Sequence, residues 1–343
     1  MSRGSRVAIL VLLAWRLVAA TPEAVAEAAR GTALAQEGKY DLAIQHYKAA
    51  IRLDPHLPGV YLNLGLAYFK SKRLVEAAAA FEQAVQADSG SFQARTLLGM
   101  SYYGSAKYAA AAKHLKVAAE AQPDNLELRY TLAESYLWSE QYPEALAEFR
   151  FLLTKNPDSA PVHVLLGQAL DAANRVEEAT AEFEAAAKAS PREREVHFGL
   201  GYLYWKQQRY ADASREFEAE LRNVPQHTQA LAYLGDAEMH TDQEKPAEDH
   251  LRRALALDSN LRLAQLDLGI LLSARNDSSE AVRCFREAIR IDSSKPDAHY
   301  RLGRLLRSLG REREAQQEFD AVKKLAAEEP PPPLIRLPGR PLP

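Results

Sequence analysis

Cysteine is almost absent from the sequence, which has only Cys284 among its 343 residues. A single thiol excludes an internal disulfide and any metal cluster built from several cysteines. No histidine or other base stands beside Cys284 in the sequence to lower its pKa. We therefore expect Cys284 to be a small apolar residue inside a helix.

An excess of positive charge is also absent, because 43 lysines and arginines face 46 aspartates and glutamates, for a formal net charge of -3. Such a chain has no overall attraction for nucleic acid or for an anionic membrane. We expect no nucleic-acid partner, although a basic groove can be hidden within a nearly neutral total.

The motifs of common catalytic sites are missing as well. The sequence contains no His-Glu-x-x-His, no phosphate-binding glycine loop and no serine elbow. Asp236 and His240 stand four residues apart in an acidic segment, a spacing that on a helix can place two ligands on one metal. The alternative is a solvated acidic turn, which we favour. We expect no enzyme, no cofactor and no metal site.

No apolar run approaches the about 20 residues that a membrane-spanning helix needs. The run Val7–Trp15 is too short, but it follows Arg3 and Arg6 and precedes the small residues of 17–20. This order is typical of a secretory signal. We predict a signal over residues 1–20 and an exported protein, periplasmic or secreted; the protein is cytoplasmic if the segment is not a signal.

What the sequence has in abundance is internal repetition. Alanine recurs every 34 residues, at Ala43, Ala77, Ala111, Ala145, Ala179, Ala213, Ala247, Ala281 and Ala315. Glycine recurs twelve residues earlier, with Ala133 as the one replacement, at Gly31, Gly65, Gly99, Gly167, Gly201, Gly235, Gly269 and Gly303. A large apolar residue follows each alanine by four, at Tyr47, Phe81, Leu115, Phe149, Phe183, Phe217, Leu251, Phe285 and Phe319.

Each repeat reads as two helices. With the glycine at position 8, positions 4, 7, 8 and 11 share one helical face and positions 20, 24 and 27 share another. Turn residues separate the halves, and prolines such as Pro123 and Pro157 close several units. The predicted units are 24–57, 58–91, 92–125, 126–159, 160–193, 194–227, 228–261, 262–295 and 296–329. The Pro-rich remainder, residues 330–343, is predicted to be disordered.

This pattern resembles the tetratricopeptide repeat family. The matching features are Leu-Gly, as in Leu64-Gly65, a large residue at position 11, as in Tyr68, and then the alanine, the aromatic residue and the proline. The resemblance implies an all-α, right-handed superhelical solenoid of antiparallel helix hairpins. It also implies that the first helices line a concave groove with positions 2, 5, 9, 12 and 13, which we call the groove face.

Several groove-face positions hold aromatic or cationic residues, and these are our candidates for binding a partner. They are Phe69, Tyr103, Tyr130, Trp138, Phe198, Tyr202, Trp205, Arg304 and Arg307. Exposed aromatic side chains bury a large area at low entropic cost when a peptide binds. Alternatively, some of these side chains pack only against the first helix of the next unit, since stacked repeats need such contacts.

From these patterns we predict a non-enzymatic scaffold that binds a peptide or a partner helix in the groove. Some members of the family hold a chaperone's C-terminal carboxylate with lysine and asparagine on successive first helices; this chain lacks that set. The alternative prediction is an accessory or sensor subunit of a cell-envelope enzyme, which binds a glycan or a metal.

Overall fold

The structure, a computed structural model, describes residues 21–193 and 195–328. The predicted signal over residues 1–20 and the predicted tail over 330–343 lie outside the described residues. Within them the regular structure is entirely helical, which confirms the predicted all-α fold of helix hairpins. The helices are α1 (Pro22–Gln36), α2 (Tyr40–Leu53), α3 (Val60–Lys70), α4 (Leu74–Ala87), α5 (Phe92–Gly104), α6 (Tyr108–Ala121), α7 (Leu126–Trp138), α8 (Tyr142–Lys155), α9 (Ala160–Ala172), α10 (Val176–Ala189), α11 (Val196–Lys206), α12 (Tyr210–Asn223), α13 (Thr228–Met239), α14 (Glu244–Leu257), α15 (Arg262–Ala274), α16 (Ser278–Ile291), α17 (Pro296–Ser308) and α18 (Glu312–Glu328).

The helices follow the period of the sequence. Successive second helices begin 34 residues apart, from Tyr40 of α2 to Glu312 of α18. Among the described residues, α1 packs on α2, α3 on α4 and α5 on α6, and the same pairing runs from α9 on α10 to α17 on α18. A hydrogen bond from Arg129 to Glu148 joins α7 to α8. The odd-numbered helices are therefore the first helices of the hairpins, and the even-numbered helices are the second.

Each hairpin turns through one residue in the left-handed backbone region. These residues also recur every 34 positions, and only two of them are glycine: Gly38, Lys72, Ala106, Glu140, Asn174, Gln208, Asp242, Asn276 and Gly310, with φ between 56° and 76°. The amide that follows each one bonds back to a carbonyl of the first helix, as Arg73 N–H does to Tyr68 O at 2.9 Å. This is the Schellman closure, which satisfies the last carbonyls of a helix.

The glycine at position 8 lets the two helices of a hairpin approach closely. A Cβ added to Gly65 would lie 2.5 Å from the ring of Phe81, and one added to Gly201 would lie 2.8 Å from the ring of Phe217. Both rings are fully buried. In the hairpins that have this glycine, the core is thus an aromatic or leucine side chain from the second helix that lies against bare backbone of the first.

Polar pairs between the two helices add to this core. A residue at position 4 bonds to one at position 23 in several hairpins, with His163 Nδ1 at 2.6 Å from Glu182 Oε2 and His197 Nδ1 at 2.7 Å from Glu216 Oε2. Arg129 Nη1 takes the place of histidine in α7 and donates to Glu148 Oε2 at 2.6 Å. These pairs lie at the rim of an otherwise apolar contact.

The described residues divide into two compact units, one up to Leu152 and one from Leu153 onward. In the first unit the Tyr102 hydroxyl donates to Glu82 on the preceding second helix. In the second unit the Tyr204 hydroxyl donates to Glu184 Oε1 at 2.8 Å in the same way. Burial and the nearby carboxylate raise the pKa of Tyr204 to about 12. Within each unit, neighbouring hairpins are therefore joined by partly buried hydrogen bonds as well as by apolar packing.

No described helix combines the length and the apolar character that crossing a membrane would require. Cys284 is buried in α16, and burial raises the pKa of its thiol.

Candidate functional site

In the first compact unit, which ends at Leu152, the groove face carries four of the predicted residues. Phe69 lies on α3, Tyr103 on α5, and Tyr130 and Trp138 on α7. Trp138 is 48% exposed, whereas the other three are half-buried. Its ring borders a shallow depression of about 580 Å³, whose walls include Lys107 and Tyr108. The described residues thus leave about half of the large apolar Trp138 side chain exposed.

Tyr103 is held in place by a carboxylate of the next first helix. Its hydroxyl donates to Glu134 Oε2 at 2.9 Å, and its ring meets that of Tyr108 edge-on at 5.8 Å. Burial raises the pKa of Glu134, and the hydrogen bond from Tyr103 works against that rise. The hydrogen bond fixes the orientation of the tyrosine ring on the groove face.

The second unit carries an aromatic cluster, formed by Phe198, Tyr202, Trp205 and Tyr233. Tyr202 and Trp205 are stacked at 6.0 Å with 17° between their planes. Tyr233, from α13, meets Tyr202 edge-on at 5.5 Å and Trp205 at 5.1 Å. All four side chains are half-buried. The three predicted members therefore pack against the next first helix and also keep part of each ring accessible.

Trp205 is anchored by a hydrogen bond that has the same register as the one from Tyr103. Its indole Nε1 donates to Asp236 on α13, 31 residues ahead, just as Tyr103 donates to Glu134 31 residues ahead. Asp236 lies beside Asp267 of α15, which is 4% exposed and has an Oδ2 without a hydrogen-bond partner. Burial, together with the charges of Asp236 and Asp297, raises the pKa of Asp267 well above its usual value, against the effect of Arg262. Two carboxyl groups therefore lie close together at the floor of this surface, and burial favours the neutral form of Asp267.

A small cavity opens between α9 and α11 beside the aromatic cluster. It measures about 170 Å³ and is lined by Gln168, Asp171, Phe183, Glu195, Phe198, Gly199, Tyr202 and Leu203. The Oε1 atom of Gln168 is buried without a hydrogen-bond partner. Cavities of about 150 Å³ can hold a benzene-sized group. The cavity therefore has room for one side chain of a bound peptide, with an acceptor ready for a donor.

Arg304 and Arg307 lie exposed on α17, where they are joined by Arg301, which the sequence reasoning did not select. The Arg304 guanidinium lies 5.9 Å from the Tyr300 ring, and that of Arg307 lies 5.2 Å from the Phe319 ring. Arg301 and Arg304 also line a cavity of about 490 Å³ between α15 and α17. This part of the surface is cationic.

Sequence reasoning missed Tyr233, Arg301 and Asp267, which all occupy position 6 of their repeats. That position was assigned to neither face, yet Tyr233 on α13 contacts Tyr202 and Trp205 on the preceding first helix. The helical spacing offered a signal, since position 6 falls beside positions 2, 9 and 13 on the helix surface.

The acidic segment that includes Asp236 and His240 is occupied by other contacts. His240 stacks on Tyr210 at 4.1 Å, and Glu238, buried, accepts a hydrogen bond from His250 at 2.8 Å. In the part of the chain that the structure describes, no group of three or more histidine, cysteine or acidic side chains could hold a metal ion.

Sequence comparison places these features in a family. Profiles described as TPR repeat match residues 31–72, and profiles described as tetratricopeptide repeat match residues 58–91, 102–150, 139–197, 198–261 and 266–330. The chain belongs to the tetratricopeptide repeat family. Proteins of this family are typically non-enzymatic interaction scaffolds.

One solved structure with a TM-score above 0.5 shares the fold, and two others are similar to part of this chain. PilF of Pseudomonas aeruginosa is 18% identical, with a TM-score of 0.53, over 60% of this chain and 93% of that one. YrrB, described as a TPR protein with an unusual peptide-binding site, is 23% identical, with a TM-score of 0.44, over 53% of this chain and 93% of that one. MamA is 21% identical, with a TM-score of 0.43, over 48% of this chain and 95% of that one. No curated protein matches the sequence.

Proposed function

We propose that this protein is a non-enzymatic scaffold that binds an extended peptide or a helix of a partner protein along its groove face. The repeat family and the fold support a protein–protein interaction role. The observation that supports peptide binding along the groove face is the accessible aromatic surface, above all Trp138 at 48% exposure and the half-buried aromatic cluster. Aromatic side chains of this kind are enriched among the residues that dominate binding energies.

The physical reason is that each hairpin uses one face of its first helix for its own core. The glycine side of α11 faces the Phe217 ring, while Tyr202 and Trp205 lie on another side of the same helix. A partner that covers these rings removes apolar area from water, which contributes roughly 25 cal/mol for each Å².

Tryptophan fluorescence offers a direct test. The sequence has three tryptophans, and Trp15 falls in the predicted signal, so the mature protein would carry only Trp138 and Trp205. Partners are first cross-linked and purified with the full chain from the native host. The purified partner is then titrated against the mature protein. We expect the emission to shift to shorter wavelength, because binding would move Trp138 out of water.

Point variants locate the contact. We expect Trp138→Ala and Tyr202→Ala each to weaken partner binding roughly tenfold, as central aromatic contacts do. The matched control is Leu257→Ala on α14, which removes a side chain that is 45% exposed on a second helix. Unchanged affinity in both groove variants, with melting temperatures like the wild type, would remove these residues from the interface.

The alternative proposal is an accessory subunit of an envelope enzyme that binds a glycan. Its motivation is the same exposed Trp138 ring, a flat apolar surface that also suits a sugar ring. A glycan array separates the two proposals: strong binding to a defined glycan with no co-purifying protein would favour the subunit, and a defined protein partner favours the scaffold.

Export is a further proposal, which rests on the residues of 1–20 alone. It places the groove and its partner in the periplasm or outside the cell.

A further inference from the structure

Among the residues that the structure describes, the arginines of α17 differ from most other arginines in having no acidic partner. Arg252 donates to Glu280 at 3.0 Å, Arg286 to Glu314 at 3.0 Å, and Arg290 to Glu287 at 2.7 Å. On first helices, Arg129 and Arg262 likewise donate to Glu148 and Asp297. Arg301, Arg304 and Arg307, on a first helix, form no ion pair with any residue that the structure describes.

The three arginines form one stripe because they are spaced by three residues, so that successive side chains are neighbours on the helix. Arg301, Arg304 and Arg307 are all exposed. Like charges on neighbouring positions of a helix repel one another and destabilise the helix. An arrangement that costs the fold stability and that no carboxylate compensates is typical of a binding site.

The cavity next to the stripe has no carboxylate of its own. It measures about 490 Å³ between α15 and α17, and its lining includes Ile270, Leu305, Ser273, Asn276, Arg301 and Arg304. Aliphatic side chains therefore alternate with hydroxyl, amide and guanidinium donors. Such a lining suits a ligand with an aliphatic stem and an anionic end, as the side chains of glutamate and aspartate have.

The guanidinium groups are also supported from one side. Arg304 lies over the Tyr300 ring at 5.9 Å, and Arg307 lies over the Phe319 ring at 5.2 Å. Contact between a cation and an aromatic face restrains the side chain without neutralising its charge. Guanidinium groups restrained in this way lose less entropy when they bind a carboxylate in bidentate geometry.

We propose that the α17 stripe is an anion subsite of the groove, which binds aspartate and glutamate side chains of an acidic segment in the partner peptide. The inference rests on the proposed function, since it assumes that a peptide lies along the groove face. The inference goes beyond the proposed function by stating that one end of that peptide is acidic.

Within the second compact unit, the distance between the aromatic cluster and the α17 stripe determines how far apart the aromatic and acidic residues of the ligand should be. The aromatic cluster lies between α11 and α13, and the stripe lies on α17, with α13 packed on α15 and α15 on α17. Packed helices are about 8–10 Å apart, so two to three steps span roughly 20–30 Å. An extended peptide covers that distance in about six to nine residues. The expected ligand therefore has an apolar or aromatic anchor and, about six to nine residues away, a group of acidic residues.

A random peptide library displayed on phage tests the subsite with the full chain. Peptides are selected on the wild type and on the triple variant Arg301→Gln, Arg304→Gln, Arg307→Gln. We expect the wild type to enrich peptides with acidic residues at the stated distance from an aromatic anchor. We expect the triple variant to lose the acidic preference, to bind the wild-type peptides roughly tenfold more weakly, and to bind them with less dependence on salt.

The matched control is the triple variant Arg222→Gln, Arg253→Gln, Arg313→Gln, which removes the same charge from exposed positions on second helices. We expect this control to bind as the wild type does. Thermal denaturation of both variants separates a binding role from a structural one, since the stripe variant is expected to be at least as stable as the wild type. The single variant Arg304→Gln repeats the test with a smaller change.

Each outcome distinguishes the two proposals. If the wild type enriches no peptide at all, the proposed function fails. If it enriches aromatic peptides without acidic residues, or if the stripe variant keeps the acidic preference, only the anion subsite is overturned. A 20-nucleotide single-stranded DNA that binds through these arginines more tightly than the selected peptides would also overturn it, in favour of a nucleic-acid partner.

Discussion

At the scale of single residues, the side chain that lies against position 8 explains why this position holds glycine. Gly201 faces the fully buried Phe217, whose ring would lie 2.8 Å from an added Cβ. We expect Gly201→Leu to destabilise the protein by roughly 1–3 kcal/mol, because a full side chain overpacks the hairpin. Urea denaturation of the full chain measures the change.

The control for this substitution is Ala211→Leu, which adds the same bulk at an exposed position of α12. We expect it to stay within about 0.5 kcal/mol of the wild type. Wild-type stability of Gly201→Leu would contradict the close approach of the two helices.

Asp267 is a second residue whose behaviour follows from its neighbours. Its raised pKa, caused first by burial and then by Asp236, keeps its carboxyl protonated in the folded protein at pH values where the unfolded chain is ionised. A carboxyl with a raised folded-state pKa stabilises the fold most at low pH, and this stability is lost as the pH rises through that pKa. We therefore expect Asp267→Asn to raise the melting temperature at about pH 8 and to change it little at about pH 4.

Thermal scans across this pH range measure the difference, with Asp249→Asn at an exposed position of α14 as the control. An equal effect of Asp267→Asn at both ends of the range would show that the carboxyl does not titrate differently in the folded and unfolded chains.

At the scale of elements, each hairpin turn requires one residue with a left-handed backbone conformation. Most of these residues are not glycine. Ala106 has a φ of 56°, a conformation that strains a residue with a Cβ. We expect Ala106→Gly to stabilise the protein by about 0.5–1 kcal/mol, because glycine adopts this conformation without steric cost. Chemical denaturation gives the free energy of unfolding.

The same substitution at Ala79, exposed in the interior of α4, provides the opposite control. There we expect a loss of about 0.5–1 kcal/mol, since glycine lowers helix stability. Two losses of similar size would mean that the turn does not favour glycine.

At the scale of the whole molecule, export can be tested by the mature N-terminus. When the full chain is produced in a secreting host, we expect the exported protein to begin at Thr21, after the small residues of 17–20. N-terminal sequencing of the exported fraction measures this. Replacing Arg3 and Arg6 by glutamate should retain the protein in the cytoplasm, and an intact Met1 in the exported fraction would contradict cleavage.

Most of the fold follows from the sequence because a repeat protein is held together by contacts that are close along the chain. Position 8, position 20 and position 24 lie within one hairpin, so their residue types report on each other directly. The regular 34-residue period then fixes where each second helix begins, from Tyr40 to Glu312.

The contacts on the groove face could not be predicted from the sequence, because its side chains pair between successive first helices, about 31 residues apart. Trp205 and Tyr103 each donate to an acid on the next first helix, and Tyr233 completes the aromatic cluster from α13. Periodicity marks which face a residue occupies, but it does not show which neighbour its side chain reaches.

The sequence by itself determined the repeat, the helix pairs and the small residues at their contacts, since these depend on local spacing and on van der Waals size. Only the tertiary structure decided which polar groups are paired. It buried Asp267 beside Asp236 and left the arginines of α17 without a described carboxylate partner. Burial and charge pairing depend on distances in space between successive hairpins, and these are set by packing rather than by the order of residues along the chain.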